Sequence, residues 1–340
     1  MLCVAGLERA GGQDEADVVI FNTCSIRDTA ARKVLTHISQ ACERRRKERT
    51  GQVVCVVGCI GGGENKGDGT TRSGDYTRKI LGRADIVLGT NQAEELVERI
   101  TGARPDTRFG VENSVIITHG CNNFCAYCIV PYARGREWSR DIDDIVAEFT
   151  DCAKRGEGAR VIYLLGQNVN SYKCPRTGAG FVGLLDRLCE VARGFEGVGV
   201  NFLSSHPKDF GRELVDCIAR NEVIERNIHL PLQSGCDKIL HAMNRGYSVA
   251  QFLEKIEMLR DAVPGVHITT DVICGFPGES EADYNETVEV MRRVRFNAAF
   301  IFAYSPREGT KAATMGGQVP EAERKRRATE LIKIQQGICK

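Results

Sequence analysis

Apolar and polar positions follow two rhythms along this chain. Short apolar runs rich in β-branched residues recur at 17–22 (DVVIFN), 52–58 (QVVCVVG) and 84–89 (ADIVLG), and each predicts a buried strand. Residues 26–46 and 94–100 instead place apolar side chains at helical spacing among strong helix formers. Strands separated by helices predict an α/β domain with parallel strands. Between Cys59 and Ile80 the run GGGENKGDGTTRSGDYTRK is rich in Gly, Thr, Ser and charge and reads as a flexible surface loop. Gly102 and Pro105 mark a linker, which divides the chain into 1–103, a linker at 104–112, and 113–340.

Beyond the linker the alternation repeats six times. Strands are expected at 114–118, 161–165, 198–203, 228–232, 267–273 and 298–303, with helices at 142–154, 184–192, 213–219, 252–262 and 282–294. Ser248 with Gln251, and Ser280 with Asp283, have capping-box spacing and fix two helix starts. Pro320 opens a last basic helix over 321–336. Six parallel strands with right-handed crossovers predict a curved sheet or incomplete barrel, whose chemistry gathers at the C-terminal ends of the strands.

Composition narrows the class. The 340 residues are 42% hydrophobic, which excludes a disordered chain, and 46 basic against 45 acidic residues leave a net charge of +1. A broad electropositive surface is not forced, so any nucleic-acid contact must come from local clusters. The basic runs 43–49 (ERRRKER) and 323–327 (ERKRR) read as solvated helix faces. No apolar run approaches the roughly 20 residues of a membrane helix, and no export signal is visible at the N-terminus. The expectation is a cytoplasmic protein with no membrane partner.

Fifteen cysteines change the picture, because a long chain with an odd count and no export signal is a poor disulfide scaffold. Cys42, Cys55, Cys152, Cys189 and Cys217 lie in apolar periodic segments and read as small buried hydrophobes. Cys121, Cys125 and Cys128 differ. They follow the first strand of the second half as C-x3-C-x2-C, beside Gly120, and three thiolates so spaced can hold three irons of a cubane cluster with the fourth iron open. Structural zinc, the alternative, requires four ligands, and no suitably spaced fourth follows.

This triplet, with Tyr127 before its last Cys, resembles the signature of the radical S-adenosylmethionine superfamily, whose open iron chelates the cofactor's methionyl group. The longer stretch from Gly120 through Arg134, Gly135 and Arg136 to Ser139 and Arg140 is similar to the methylthiotransferases, which insert sulfur into a C–H bond and methylate it. Asn22–Thr23–Cys24–Ser25–Ile26–Arg27, the stretch 165–169 (LGQNV) and the stretch 229–235 (HLPLQSG) resemble the tRNA branch of that family, the MiaB type. The similarity runs over about residues 15–337. It implies an N-terminal methylthiotransferase domain and a partial (β/α)6 barrel. The implied reaction is methylthiolation of C2 of N6-isopentenyladenosine at tRNA position 37.

Site residues follow from the same resemblance. A 4Fe-4S cluster at Cys121, Cys125 and Cys128 would bind S-adenosylmethionine, and a second cluster at Cys24 and Cys59 would handle sulfur. Gly166, Gln167 and Asn168 match the place where the methionyl amine is held, or form an ordinary strand-end turn. Asp271, Gly275 and Gly278 match the adenosine-facing loop. Ser205, His206, Gln233 and Ser234, at two further strand ends, face cofactor or RNA or are plain loop polarity. Arg134, Arg136 and Arg140 are the candidates for RNA phosphate. A reductant such as flavodoxin or ferredoxin and a sulfur donor are implied partners.

The sequence also departs from the family. By the resemblance, the third cysteine of the second cluster belongs to a first strand that is expected to be missing here, Cys3 falls in the expected following helix, and the family's C-terminal TRAM domain is likewise expected to be missing. A truncated start and weaker tRNA binding are therefore expected. Two alternatives stay open on sequence grounds. One is the same chemistry on threonylcarbamoyladenosine tRNA or a ribosomal protein, and the other is a degenerate, non-catalytic iron-sulfur protein that binds tRNA.

Overall fold

The computed structural model describes residues 7–23, 28–48, 50–60, 80–89, 93–102, 113–155 and 160–339. The expected loop at 61–79, the linker at 104–112, Cys3 and Cys24 lie outside the described residues. The chain forms two compact units, one of residues 1–109, 128–135 and 307–313, the other of 110–127, 136–306 and 314–340.

In the first unit β1 (Val18–Thr23), β2 (Val53–Gly58) and β3 (Ile86–Leu88) form a parallel sheet in that order. Helix α1 (Asp28–Glu48) covers it with Leu35, Ile38 and Cys42, spaced for one helical face, against Val54 and Val56. Helix α2 (Ala93–Thr101) follows β3. Among the described residues, these three strands and two helices match the sequence pattern to within two residues.

The second unit carries six parallel strands in chain order. These are β4 (Ser114–Ile116), β7 (Arg160–Leu165), β8 (Val198–Phe202), β9 (Asn227–His229), β10 (His267–Cys274) and β11 (Ala298–Ala303). Two registered sets, β4-β7-β8 and β9-β10-β11, are joined where Val200 of β8 pairs with Ile224, just before β9. Between β4 and β7 a short antiparallel pair, β5 (Thr118–His119) and β6 (Trp138–Ser139), flanks helix α3 (Val130–Arg134), which belongs to the first unit. The crossover helices are α4 (Ile142–Lys154), α5 (Phe181–Arg193), α6 (Arg212–Arg220), α7 (Asp237–Ala242), α8 (Val249–Ala262) and α9 (Glu281–Val294), with α10 (Glu321–Ile338) last.

Two expectations change. The first strand ends at Ile116 rather than Thr118, because Thr118 turns to pair with Ser139. The fourth strand stops at His229 instead of continuing to Leu232. Pro231 has no N–H to give the ladder, and the Leu232 N–H goes to the Thr270 hydroxyl at 2.9 Å. Both predicted capping boxes are present, at Ser248 with Gln251 and Ser280 with Asp283.

Alternation along the strands separates two faces. In β10 Ile268, Thr270, Val272 and Cys274 are buried, while His267, Thr269, Asp271 and Ile273 face the opposite side. Neighbouring β11 packs Ala299, Ile301 and Ala303 on the core and leaves Phe300 and Phe302 57% and 45% exposed. Cys152, Cys189 and Cys217 lie in that core, and Cys42 and Cys55 in the first unit's, as small buried hydrophobes. Burial pushes the Cys189 thiol up to about 12 and those of Cys55 and Cys217 to about 11, so these thiols stay protonated.

Candidate functional site

The cysteine loop leaves β5 at Gly120, whose φ of +71° suits glycine, and passes Phe124 at φ +47°, a conformation bulky side chains rarely hold. Such strain persists only where surroundings over-determine it, and here they do. The Ala126 N–H donates to the Met243 carbonyl at 2.8 Å, and Asn244 Nδ2 donates to the carbonyls of Asn123 and Phe124 at 3.0 and 3.1 Å. Lys208 Nζ donates to Asn123 Oδ1 at 2.7 Å, and the Glu137 N–H to Asn122 Oδ1 at 3.2 Å. The segment after α7 therefore grips the cysteine loop across more than a hundred residues of sequence.

Cys121 and Cys125 are buried, and Cys128, which opens the 128–135 segment of the first unit, is half-buried. Burial pushes the Cys121 thiol up, and the Asn123 backbone N–H works against it. Cys125 Sγ accepts from Arg245 Nη1 at 3.3 Å and lies 4.0 Å from His206 Nε2. His206 is buried, and burial, then the charges of Arg245 and Lys208, lower its pKa to about 2, so the imidazole is neutral. Soft sulfur donors, a cationic neighbour and exclusion from water fit an anionic iron-sulfur cluster in this loop.

Around the strand ends several buried polar atoms have no hydrogen-bond partner among the described residues: Gln167 Oε1, Asn168 Oδ1, Ser205 Oγ and Gln233 Oε1. Buried acceptors and hydroxyls in this state are suited to a polar ligand. Gln233 adopts φ +67°, and neighbouring Ser204 φ +66°, at the ends of successive strands. Asn168 donates through Nδ2 to Asp209 Oδ2 at 2.7 Å. His206 and Ser205 lie on the loop after β8, whereas Ser234 is tied to the Cys236 N–H at 3.2 Å.

The glycines act by space. A Cβ at Gly166 would stand 2.1 Å from Thr118 Oγ1, and one at Gly275 would stand 2.2 Å from Arg324 Cγ of α10. The Gly275 N–H donates to Glu279, so its small size serves α10 packing. Gly278, at φ +82°, donates its N–H to the Gly317 carbonyl at 2.8 Å. Asp271 Oδ2 lies 3.4 Å from His229 Nε2, whose Nδ1 is 2.9 Å from Thr269 Oγ1 and whose ring meets Phe300 edge-on at 6.0 Å.

The arginine candidates divide. The Arg136 guanidinium lies 4.8 Å over the Phe124 ring, and Arg134 buries an Nε that has no hydrogen-bond partner among the described residues. Arg140 is engaged internally, donating to the Ile116 carbonyl at 2.7 Å and to Glu148 Oε2 at 2.5 Å. The run 323–327 is not simply a solvated face. Arg327 is buried and bonds Glu279 Oε1 at 2.9 Å, while Arg326 pairs with Glu281, Glu323 and Glu330. In the run 43–49, Arg44 pairs with Asp14 and Arg45 with Asp85.

In the first unit Cys59 is buried just past β2, its N–H donating to the Thr23 carbonyl at 3.1 Å. Gly58, at φ +101°, allows that approach, since a Cβ there would stand 2.5 Å from the same carbonyl. Sequence reasoning missed Arg245, His229 and the Phe300–Phe302 pair. Alternation along 298–303 could have marked the two phenylalanines.

A family model of the radical SAM superfamily matches residues 115–291, more than half of the chain, and one of the uncharacterized protein family UPF0004 matches residues 1–74. A tRNA-2-methylthio-N(6)-dimethylallyladenosine synthase of Chlorobium luteolum is 40% identical over 353 residues, covering 99% of this chain and 77% of that relative. One of Moorella thermoacetica is 39% identical over 360 residues, covering 98% and 77%. The radical S-adenosylmethionine methyltransferase TsrM of Kitasatospora setae, solved with cobalamin and a [4Fe-4S] cluster, shares the fold at a TM-score of 0.59. Its identity is 14%, over 87% of this chain and 65% of its own. The chain belongs to the radical SAM superfamily and, within it, to the family of tRNA-2-methylthio-N(6)-dimethylallyladenosine synthases. No described helix is long and apolar enough to cross a membrane.

Proposed function

We propose that this enzyme methylthiolates C2 of N6-isopentenyladenosine at position 37 of tRNA. The observation that carries this reading is the 40% identity to a synthase of that name along 99% of the chain. The cysteine triplet lies inside the segment matched to the superfamily. Cys121, Cys125 and Cys128 would hold a 4Fe-4S cluster, leaving one coordination position for S-adenosylmethionine. Together the two groups supply reductive generation of a hydrogen-abstracting radical and the methyl group that is transferred.

The chain's own residues then bind and orient. Gln167, Ser205 and Gln233 offer their buried oxygens to the polar end of the cofactor, with Asn168 held against Asp209. Asp271 stands on the open strand face to receive a ribose hydroxyl. Gly166 and Gly275 keep the strand ends close to Thr118 and Arg324. Phe300 and Phe302 form the aromatic part of that face, suited to stacking on an extruded adenine. Arg134 and Arg136 would meet phosphate. Cys59 and Cys24 would contribute to a second, sulfur-handling cluster in residues 1–103, with 104–112 as linker and 113–340 as the radical-generating domain. The reductant would be a flavodoxin or ferredoxin, a separate donor would supply sulfur, and the setting would be the cytoplasm.

The test is anaerobic reconstitution with iron counting, followed by incubation with S-adenosylmethionine, reductant and tRNA from cells lacking the modification. About eight irons per chain are expected, falling to about four in Cys24→Ala/Cys59→Ala. The modified nucleoside should gain a methylthio group by mass. Failure to cleave S-adenosylmethionine with a full iron complement would overturn the proposal.

A further inference from the structure

Arg245 is only 4% exposed. A guanidinium so buried ordinarily meets a carboxylate, because an uncompensated charge away from water is costly. Among the described residues no carboxylate pairs with it. It donates through Nη1 to Cys125 Sγ and to the Tyr127 hydroxyl, through Nη2 to the Pro231 carbonyl, and through Nε to the Tyr247 hydroxyl, each at 3.3 Å. The carbonyl is neutral, and both tyrosines meet the guanidinium through their hydroxyls. The thiol is the partner that becomes an anion when it ligates a metal. The positive charge is matched when Cys125 is a cluster ligand.

The backbone presents this side chain deliberately. Asn244 at φ +58° and Gly246 at φ +69° flank it in left-handed conformations, and Asn244 also holds the cysteine loop. Tyr247 donates to the Leu232 carbonyl at 2.7 Å, meets the His206 ring edge-on at 5.9 Å and lies 5.4 Å from the guanidinium carbon, fixing the second side of the guanidinium.

We propose that Arg245 sets the reduction potential of the cluster held by the cysteine loop, through a charge-assisted hydrogen bond to the Cys125 sulfur. A cationic donor on a ligand sulfur favours the cluster state with more negative charge, which is the reduced state. The potential is raised relative to the same loop without the guanidinium, so the one electron from the external reductant is accepted more readily. This inference rests on the assignment of a cluster to Cys121, Cys125 and Cys128. Arg245 acts through Cys125.

The experiment uses the full chain as Cys59→Ala, reconstituted anaerobically, so that the loop's cluster is observed alone. With 15N-arginine, pulsed EPR of the reduced cluster should show a 15N coupling that is lost in Arg245→Lys. Dye-mediated redox titration of Arg245→Gln should show the reduced-to-oxidised ratio at a fixed poise falling about tenfold, or ~59 mV for a one-electron couple. Arg245→Lys, which keeps the charge, should recover part of that shift. Absence of the 15N coupling in the arginine-containing protein, or an unmoved potential in Arg245→Gln, would overturn it while leaving the cluster assignment intact. Absence of iron from the arginine-containing protein would overturn both.

Discussion

Gly166 and Thr118 approach so closely that a methyl group at residue 166 would stand 2.1 Å from Thr118 Oγ1. One residue lies just past β7 and the other opens β5, so their contact sets the distance between two strand ends at the candidate cofactor site. Gly166→Ala should lower stability by about 1–3 kcal/mol through overpacking. Thr118→Ala should restore part of the loss, because it removes the nearest atom. A double-mutant cycle by urea denaturation checks this, and simple additivity of the two changes would refute the contact.

Glu279 and Arg327 form a buried ion pair at 2.9 Å, backed by the Gly275 N–H. Burial pushes the Glu279 carboxyl up, and the Gly275 N–H and Arg327 oppose that. Arg327→Met should cost about 3–5 kcal/mol by stranding the carboxylate. Glu279→Gln in the same chain should recover part of it. Equal denaturation midpoints for the single variant and the unmodified protein would count against the pair as the link between α10 and the β10 loop.

Asp283, the third residue of α9, closes the capping box begun by Ser280, and its acidity gives a pH dependence of definite sign. Burial pushes its carboxyl up, but hydrogen bonds from Lys238 Nζ at 2.5 Å and from the Ser280 N–H and hydroxyl outweigh this and hold it well below the usual range. The unfolded chain therefore takes up the proton first as pH falls. The stabilisation is full above the ordinary aspartate pKa of about 3.9 and is lost below it. Asp283→Asn should cost ~1 kcal/mol at neutral pH. The difference from the unmodified protein should shrink toward pH ~3, as the native carboxylate loses its advantage. Urea melts across that range decide it, and a constant difference would contradict the assignment.

Arg136 and Arg140 should separate binding from stability. Arg136→Ala should weaken tRNA binding and reduce the magnitude of the salt-dependence slope by about 1. Arg140→Ala should leave that slope unchanged and lower stability by about 1–3 kcal/mol, since its partners are Ile116 and Glu148. Titrations of tRNA at several salt concentrations, with thermal melts of both variants, distinguish the two roles.

Most of the secondary structure was legible in the chain because its causes are local. Alternation and helical spacing marked all six barrel strands, and the two capping boxes need only residues three apart. The short helices α3 and α7 were missed, being too brief to show a period. The cysteine triplet was legible for the same local reason, since its three sulfurs lie between residues 121 and 128. Arg140 looked like an RNA contact because a basic residue beside a motif carries no mark of the Glu148 that engages it.

By itself, then, the sequence determined the alternating α/β plan, the cysteine loop and the family resemblance. Tertiary structure alone decided which polar groups meet at the loop. Arg245 lies 120 residues from Cys125 in the chain, and only the packing of α7 and its following turn against the cysteine loop brings guanidinium and sulfur to 3.3 Å. Hydrophobic periodicity is written in neighbouring residues, whereas a buried charge finds its partner only after distant strands have closed side by side.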